Sequence, residues 1–373
     1  MLAWQQILLR LKREIRLGLR ASGSLLPPEV HLASELGVSR KTLRRAFDEL
    51  SSEGLLIRCK HIGTRISPDA AAKVQVPLRL AVVLNVLPGK EQLSSSYLLA
   101  PVGAMTEIHY LIRRFISQGD HLQLLSDHAF MRDQELWQKF DGLIFSPPQS
   151  EVLSLKVAAE RRFPHINLES GVDCLGVNTI LADDEQAAYD CTRELLQEGH
   201  RKIAFLGGAL RKGAQDCGFR RRTCGYLRAC ADFSVVPKPE WIFNLANQDQ
   251  YSMSELLADY PVRIQGCEAL VAAIGTSLLE LERLRRLYGE TMYPSLPLRC
   301  IDLTPLNLSA AELGRLQNYA GFCKPRQQVA DLAYNNLLSW IGHPDYQPGY
   351  HKVSFLPYVP ALNQHKEVIY AEA

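Results

Sequence analysis

Apolar residues recur at helical spacing in the amino-terminal part of the chain. A first helix, which fades near Gly18, is predicted by a stripe with i, i+3, i+4 and i+7 spacing made of Trp4, Ile7, Leu8, Leu11 and Ile15. A second helix begins at Pro28 and stops at Gly37, and its apolar face is Leu32, Ala33 and Leu36. Ser39 suits the N-cap of a third helix, whose inward face is Leu43, Ala46, Phe47 and Leu50. The second and third helices together predict a helix-turn-helix.

The spacing changes after the third helix. Two short apolar runs, LLIRC and TRIS, flank Lys60, His61, Ile62 and Gly63, and this pattern predicts a two-stranded wing. Residues 67–77 contain small residues, two prolines and no apolar period, so a linker is predicted there. The predicted domains are therefore a winged helix-turn-helix over residues 1–66 and a larger domain over residues 78–373.

Beyond the predicted linker, short apolar runs alternate with longer helical segments. Such alternation is typical of βαβ units, and the predicted fold class is α/β, with parallel sheets that are covered by helices on both faces. The predicted strands are LAVVL, HLQLL, GLIF, INL, IAFL and ALVAA.

Charge is distributed unevenly along the chain. The formal net charge is +2, but residues 1–66 carry +6 and the remainder carries −4. The outward face of the third helix holds Lys41, Arg44 and Arg45. A basic segment on a mildly acidic body is expected where only that segment contacts a polyanion such as DNA.

Several other classes of protein are not indicated. Hydrophobic residues make up 47% of the chain, yet no apolar run is long enough to cross a bilayer, and the charged first segment lacks a signal-peptide cleavage pattern. A cytoplasmic protein without membrane contact is predicted. The nine cysteines include no CxxC pair, so neither a disulfide framework nor a metal site is expected, and no cofactor is predicted.

Residues 26–67 resemble the GntR family of winged-helix regulators. The resemblance rests on LPPE, LASELGVSRKT, the EGLL strand and the GT of the wing. In that family the start of the third helix enters the major groove and the wing reaches towards the neighbouring minor groove, in agreement with the general geometry of such domains. The DNA contacts that the resemblance implies are Ser39, Arg40, Lys41, Thr42, Arg44, Lys60 and His61. Three positions depart from the family pattern: Pro28, Val30 and His61, the last of which replaces a usual glycine.

Residues 78–358 resemble, more loosely, the effector domain of LacI-type repressors and sugar-binding proteins. The clearest stretch is residues 182–208, followed by R-x-x-GY at Arg222, Gly225 and Tyr226. The resemblance implies a two-lobed, periplasmic-binding-protein-like domain that closes around a small effector, expected to be a carbohydrate or related metabolite. The expected partners are operator double-stranded DNA, this effector and a second copy of the chain in a homodimer that binds a near-palindromic site.

Arg222 is the first candidate for the effector site. It lies at the margin of its helix's apolar stripe, whereas Arg221 lies opposite and is expected to be solvated. The family uses this arginine to hold ligand hydroxyls or carboxylates, and a salt bridge between the lobes is the alternative. Asp302 occupies the position of a ligand-binding aspartate, although such a residue often caps a turn. Asp183, with Gln186 three residues later, also fits a helix cap.

Weaker candidates for the effector site are Glu169, Tyr251, Thr276 and Asn85. Tyr251 is a possible stacking platform for a sugar ring. Thr276 or Ser277 would serve in AAIGTS, which stands where the family has Asn-Asp, so an effector other than a standard hexose is expected.

Two other functions are compatible with parts of the sequence. GntR-type segments also occur on aminotransferase-like domains that use pyridoxal phosphate, but no lysine here lies in a matching context for a Schiff base. A solute-binding protein for transport would need an export signal and would have no use for a basic winged helix.

Overall fold

The computed structural model describes residues 2–74, 76–84, 107–132, 134–145, 152–168, 176–210, 218–246, 257–304, 309–343 and 345–358. It contains a small winged-helix head and two lobes, each built on a six-stranded sheet. No helix among these residues combines the length and the apolar character that a membrane span requires.

The winged-helix head has the elements that its periodicity predicted. They are α1 (Ala3–Arg16), α2 (Glu29–Glu35), α3 (Arg40–Ser52), β1 (Leu56–Cys59) and β2 (Gly63–Ile66), and a short helix that was not predicted, α4 (Ala70–Lys73), follows them. The apolar faces of α1, α2 and α3 meet in one core, where Leu11, Leu32 and Phe47 are fully buried. β1 and β2 pair antiparallel as the wing.

The segment predicted as a linker is packed in the structure. It contains α4, and it adds Ala70, Val74 and Val76 to the core of the head. Because these three small side chains stand four and two residues apart in so short a stretch, they do not repeat one helical or strand period, although each removes apolar surface from water.

The amino-terminal lobe is wholly parallel. Its elements are β3 (Arg79–Leu84), α5 (Glu107–Ser117), β4 (His121–Ser126), α6 (Asp127–Arg132), a 3₁₀ helix (Gln134–Lys139), β5 (Gly142–Phe145), α7 (Val152–Glu160), β6 (His165–Leu168), β7 (Thr179–Ala182), α13 (Arg326–Gly342) and β13 (Tyr350–Val353). The strand order is β13-β7-β6-β5-β3-β4. Residues of β3 alternate between two cores, with Leu80 and Val82 on the side of α5 and α13, and Ala81 and Val83 on the side of α6 and α7.

The carboxyl-terminal lobe repeats this arrangement. Its elements are α8 (Asp184–Gln197), β8 (Ile203–Leu210), α9 (Gly218–Asp232), a 3₁₀ helix (Pro239–Trp241), β9 (Ile242–Ala246), α10 (Tyr260–Arg263), β10 (Ala269–Ala272), α11 (Gly275–Tyr288), β11 (Leu298–Cys300), α12 (Ala310–Leu316), β12 (Gly321–Cys323) and β14 (Leu356–Tyr358). The strand order is β14-β12-β11-β10-β8-β9, and only β14 runs antiparallel to its neighbour.

The described chain crosses between the lobes at three points. It crosses at Asp183 between β7 and α8, at Lys324 and Pro325 between β12 and α13, and at Ser354 and Phe355 between β13 and β14. The predicted α/β class with two parallel-sheet lobes behind a winged helix is thereby confirmed. These crossings bring residues that are distant in sequence to one place.

Candidate nucleic-acid interface and effector site

The start of α3 presents polar and basic side chains to solvent. Ser39 is the N-cap, and its hydroxyl accepts the backbone N–H of Thr42 at 3.1 Å. Arg40 and Lys41 are exposed, while Leu43 on the opposite face is fully buried. The free N–H groups of a helix start also carry partial positive charge, so this end of α3 suits a phosphate or a base edge.

The next turn of α3 is held by contacts within the head. Arg44 Nε donates to Glu29 Oε2 on α2 at 2.6 Å, and the Arg45 guanidinium lies 4.3 Å from the centre of the Trp4 ring on α1. An exposed ion pair of this kind is weak in water, because solvation competes with it. Arg44 can therefore exchange Glu29 for a phosphate or a guanine at little cost.

The tip of the wing carries Lys60, His61 and Ile62, all of them exposed. His61 has a φ of 64°, in the left-handed region where glycine is normally found. The backbone of this turn thus has the form expected of the family's glycine, and the chain places an imidazole there instead.

A buried cluster of charged side chains lies where the lobes join. This interlobe cluster consists of Glu107, Asp184, Arg221, Arg222, Asp302, Lys324 and Arg326. Two of its members, Asp184 and Lys324, lie at crossings between the lobes, and Asp302 follows the carboxyl end of β11. Its four cations and three carboxylates leave one net positive charge.

Asp184 is the acceptor for two arginines of α9. Arg222 Nε donates to Asp184 Oδ1 and Arg221 Nη2 donates to Asp184 Oδ2, each at 2.8 Å. Arg222 Nη1 also donates to the carbonyl of Ala273, which follows β10, at 2.6 Å. Burial alone would raise the pKa of Asp184, but the charges of Arg222, Lys324 and Arg221 outweigh it and lower the pKa to about 2.

Asp302 is held from the other side of the cluster. Arg326 Nη2, from the first residue of α13, donates to Asp302 Oδ2 at 2.8 Å, and Arg222 Nη2 lies 3.9 Å from the same oxygen. The other carboxylate oxygen accepts the Thr304 N–H and hydroxyl, each at 3.0 Å. Burial would raise the pKa of Asp302, but Arg326 and Arg222 lower it. Asp302 therefore caps a turn and also belongs to the cluster.

The structure brings the two candidates Arg222 and Asp302 together, and it corrects one neighbouring assignment. Arg221 was expected to be solvated, which is wrong: its side chain is only 10% exposed and pairs with Asp184. Sequence reasoning also missed Asp184. A signal was present, because Asp184 lies three and four residues before Ala187 and Ala188 and therefore shares their buried face of α8.

The remaining candidates lie elsewhere. Asp183 is the N-cap of α8, where it accepts the Gln186 N–H at 3.3 Å, and Lys352 Nζ is 3.3 Å from the same carboxylate. Thr276 lines a separate cavity of about 420 Å³ between α11 and α12. Glu169, Tyr251 and Asn85 fall outside the described residues.

Family models match two parts of the chain. Residues 4–66 match the bacterial regulatory proteins of the gntR family, and residues 116–260 match the periplasmic binding proteins and sugar binding domain of the LacI family. The chain therefore combines a GntR-family winged-helix domain with a LacI-type, periplasmic-binding-protein-like domain.

Two transcriptional regulators align with this chain over part of their own length. The arabinose metabolism transcriptional repressor of Halalkalibacterium halodurans is 24% identical over 248 residues, which are 65% of this chain and 64% of the repressor. The transcriptional regulator MalR of Streptococcus pneumoniae is 33% identical over 182 residues, which are 46% of this chain and 48% of the regulator. The chain thus spans less than two thirds of either relative.

A solved structure extends the likeness in fold. The complex of the transcriptional regulator CelR with cellobiose aligns with 90% of this chain and 99% of its own, with a TM-score of 0.54 and 16% identity. At this identity the likeness concerns the fold alone.

Proposed function

We propose that the protein is a sequence-specific transcriptional regulator of the cytoplasm whose affinity for operator DNA is controlled by a small effector. Residues 1–66 bind DNA, residues 67–77 connect, and residues 78–373 bind the effector. The observation that carries the proposal is the exposed basic start of α3, on a head of charge +6 attached to a body of charge −4. The family of the head supports it.

The DNA-binding residues are testable one at a time. Arg40→Ala and Arg44→Ala remove groups that can contact guanine O6 and N7 in the major groove, and a bidentate contact of this type contributes roughly 1–3 kcal/mol. We expect each variant to bind a duplex selected by the wild-type protein from a randomised pool about 5–150-fold more weakly. Fluorescence anisotropy titrations at fixed salt concentration measure the change, because phosphate contacts depend steeply on salt.

A matched control separates recognition from bulk charge. Arg286→Ala removes an equally exposed arginine from α11, far from the head in the fold, and should leave operator affinity and its salt dependence unchanged. Wild-type affinity in both head variants would contradict the assignment of α3 as the recognition helix. Equal losses in all three variants would mean that only overall charge matters.

The body is proposed to hold a sugar or a related metabolite between its lobes, with Arg222 and Asp302 at the site. The sugar-binding domain family of residues 116–260 and the arabinose metabolism repressor among the relatives support this class of effector. Arginine and carboxylate side chains suit the hydroxyl and carboxylate groups of such ligands. Since Arg222 is already paired with Asp184, a ligand must share or replace that contact.

The body is proposed to bind its ligand without transforming it. The alternative of a pyridoxal-phosphate enzyme required an aminotransferase-like body, and the two-lobed fold is of another class. We infer a homodimer, because two-fold symmetry lets two heads occupy the half-sites of a near-palindromic operator.

A further inference from the structure

The winged-helix head is joined to the amino-terminal lobe by a buried ion pair. Arg16, the last residue of α1, donates through Nη1 to Asp120 Oδ1 at 2.7 Å and through Nη2 to the other oxygen. The two side chains are 2% and 0% exposed. A bidentate pair of this kind fixes orientation as well as distance, and burial removes the water that would otherwise compete with it.

The same pair holds the connecting chain. Asp120 Oδ1 accepts the backbone N–H of Leu78 at 2.7 Å, and Arg16 Nη1 also donates to the carbonyl of Val76. The chain that leaves the head is thus fixed on both sides of the ion pair. A connection tied down in this way cannot act as a free tether.

Two further contacts surround the pair. Arg13 Nη2 donates to Asp141 Oδ1 at 2.8 Å, and Asp141 Oδ2 accepts the Arg79 N–H at 2.8 Å. Gly342, the last residue of α13, lies so close to Leu17 that a Cβ at position 342 would be 2.9 Å from both the Cβ and the carbonyl oxygen of Leu17. Charge and close packing therefore support the same orientation of the head.

The contact between the head and the amino-terminal lobe lies at the end of the sheet where its strands begin, and this position bears on regulation. Leu78, Asp120 and Asp141 each lie immediately before a parallel strand, β3, β4 or β5, so the head is fixed to the amino-terminal edge of the sheet. Asp184 follows β7 and lies near the carboxyl edge of the same sheet. One packed lobe therefore separates the head from the interlobe cluster.

We infer that the head and the amino-terminal lobe form one rigid body locked by Arg16 and Asp120, with Arg16 positioning the recognition helix. The inference deepens the proposed function and rests on it for its regulatory meaning: effector-driven movement takes place between the lobes, and the ion pair transmits it to the head. Closure of the two lobes around a ligand would then change the distance between the two heads of a dimer, and no hinge at residues 67–77 would be needed.

Scanning calorimetry of the full chain, with and without the selected operator duplex, tests the lock. In the wild-type protein we expect the head to unfold together with the amino-terminal lobe, in one transition that the operator raises in temperature. In Asp120→Asn and in Arg16→Lys we expect the head to separate into its own transition at lower temperature, and the operator to raise that transition alone. Arg16→Lys keeps the charge and serves if Asp120→Asn does not fold.

Arg299→Lys is the matched control, because Arg299 pairs with Glu194 inside the carboxyl-terminal lobe. It should lower the melting temperature of the carboxyl-terminal lobe, while the head still unfolds together with the amino-terminal lobe. A wild-type head that melts separately, or variants in which head and lobe still melt together and share the operator-induced rise, would overturn the inference. Failure of the wild-type protein to select any duplex would count against the proposed function instead, and the number of transitions without DNA would still test the lock.

Discussion

The carboxylate of Asp184 is the acceptor for two arginines where the lobes meet, and its ionisation contributes to the stability of the fold. Its pKa of about 2 reflects burial, which favours the neutral acid, and the opposing charges of Arg222, Lys324 and Arg221, which prevail. Since the folded pKa lies below the ordinary value of 3.8, the ionised form stabilises the fold. This contribution is fully present above about pH 4 and is lost as the pH falls towards 2.

We therefore expect Asp184→Asn to change both stability and its pH dependence. At neutral pH the variant removes the carboxylate charge to which the buried Arg221 and Arg222 are bonded, and the loss of one partner of a buried ion pair typically costs about 3–5 kcal/mol. Between about pH 4 and pH 2 its free energy of unfolding should fall less steeply than that of the wild-type protein, because one titrating carboxyl is gone. Urea unfolding at a series of pH values measures both effects.

Asp190→Asn provides the comparison on the same helix. Asp190 forms a surface pair with Arg193, so its removal should cost about 1 kcal/mol or less. If the free energies of unfolding of Asp184→Asn and of the wild-type protein fell with the same slope between about pH 4 and pH 2, the role given to the buried carboxylate would be refuted.

At the residue scale, the sequence singled out Arg222 and Asp302 as candidates for the effector site but assigned Arg221 to solvent. The apolar stripe of a helix predicts its buried face only where the neighbouring helix presents apolar residues to it. Here the partner face of α8 begins with Asp184, so a second arginine is drawn inwards. Sequence alone does not reveal which polar residue a neighbouring helix will place opposite.

At the element scale, the close approach of α8 and α9 depends on Gly225. A Cβ at this position would lie 2.0 Å from the backbone oxygen of Glu185 and 2.9 Å from the Cβ of Ala188. The glycine of the R-x-x-G motif therefore has a packing role: it lets α9 approach α8 closely enough for Arg221 and Arg222 to reach Asp184.

Gly225→Ala should separate the two helices. The backbone of α8 cannot yield as a flexible side chain would, so we expect a loss of roughly 1–3 kcal/mol from overpacking, despite the better helix propensity of alanine. Gly314→Ala is the control, since Gly314 lies in α12 with nothing within 4 Å of the added Cβ, and it should be neutral or stabilise by about 0.5–1 kcal/mol. Equal urea midpoints for the two variants would contradict the close-packing account.

Elements differ in how far their own residues specify them. Each of the six apolar runs predicted as strands forms a strand, because buried parallel strands are apolar on both faces. Among the strands that these six runs do not include, β12, β13 and β14 share a physical reason. They are short, and YHKV and LPY are only partly buried at sheet edges, so neither length nor alternation marks them. Their pairing depends on the crossings between lobes, which local sequence does not encode.

At the scale of the whole molecule, the chain crossings between the lobes connect the interlobe cluster to the amino-terminal lobe, which carries the head. A ligand can shift the balance between open and closed lobes only by its differential affinity for the two states. If closed and open dimers hold the heads differently, effector and operator must influence each other by the same factor, since linkage is reciprocal. The lock between Arg16 and Asp120 gives this coupling a continuous structural path.

For typical couplings of roughly 1–3 kcal/mol, a saturating effector should change operator affinity about 5–150-fold, and saturating operator should change effector affinity by that same factor. The effector used is the sugar from a panel of free and phosphorylated sugars that gives the largest rise in melting temperature. Calorimetric titrations of this sugar, with and without the selected duplex, measure the factor. Arg222→Ala should weaken sugar binding and abolish the shift while retaining operator affinity without sugar. Arg193→Ala, which removes an arginine paired with Asp190 on the surface of α8, should behave as wild type. A sugar that binds equally well with and without operator would show that the two-lobed body does not control the head.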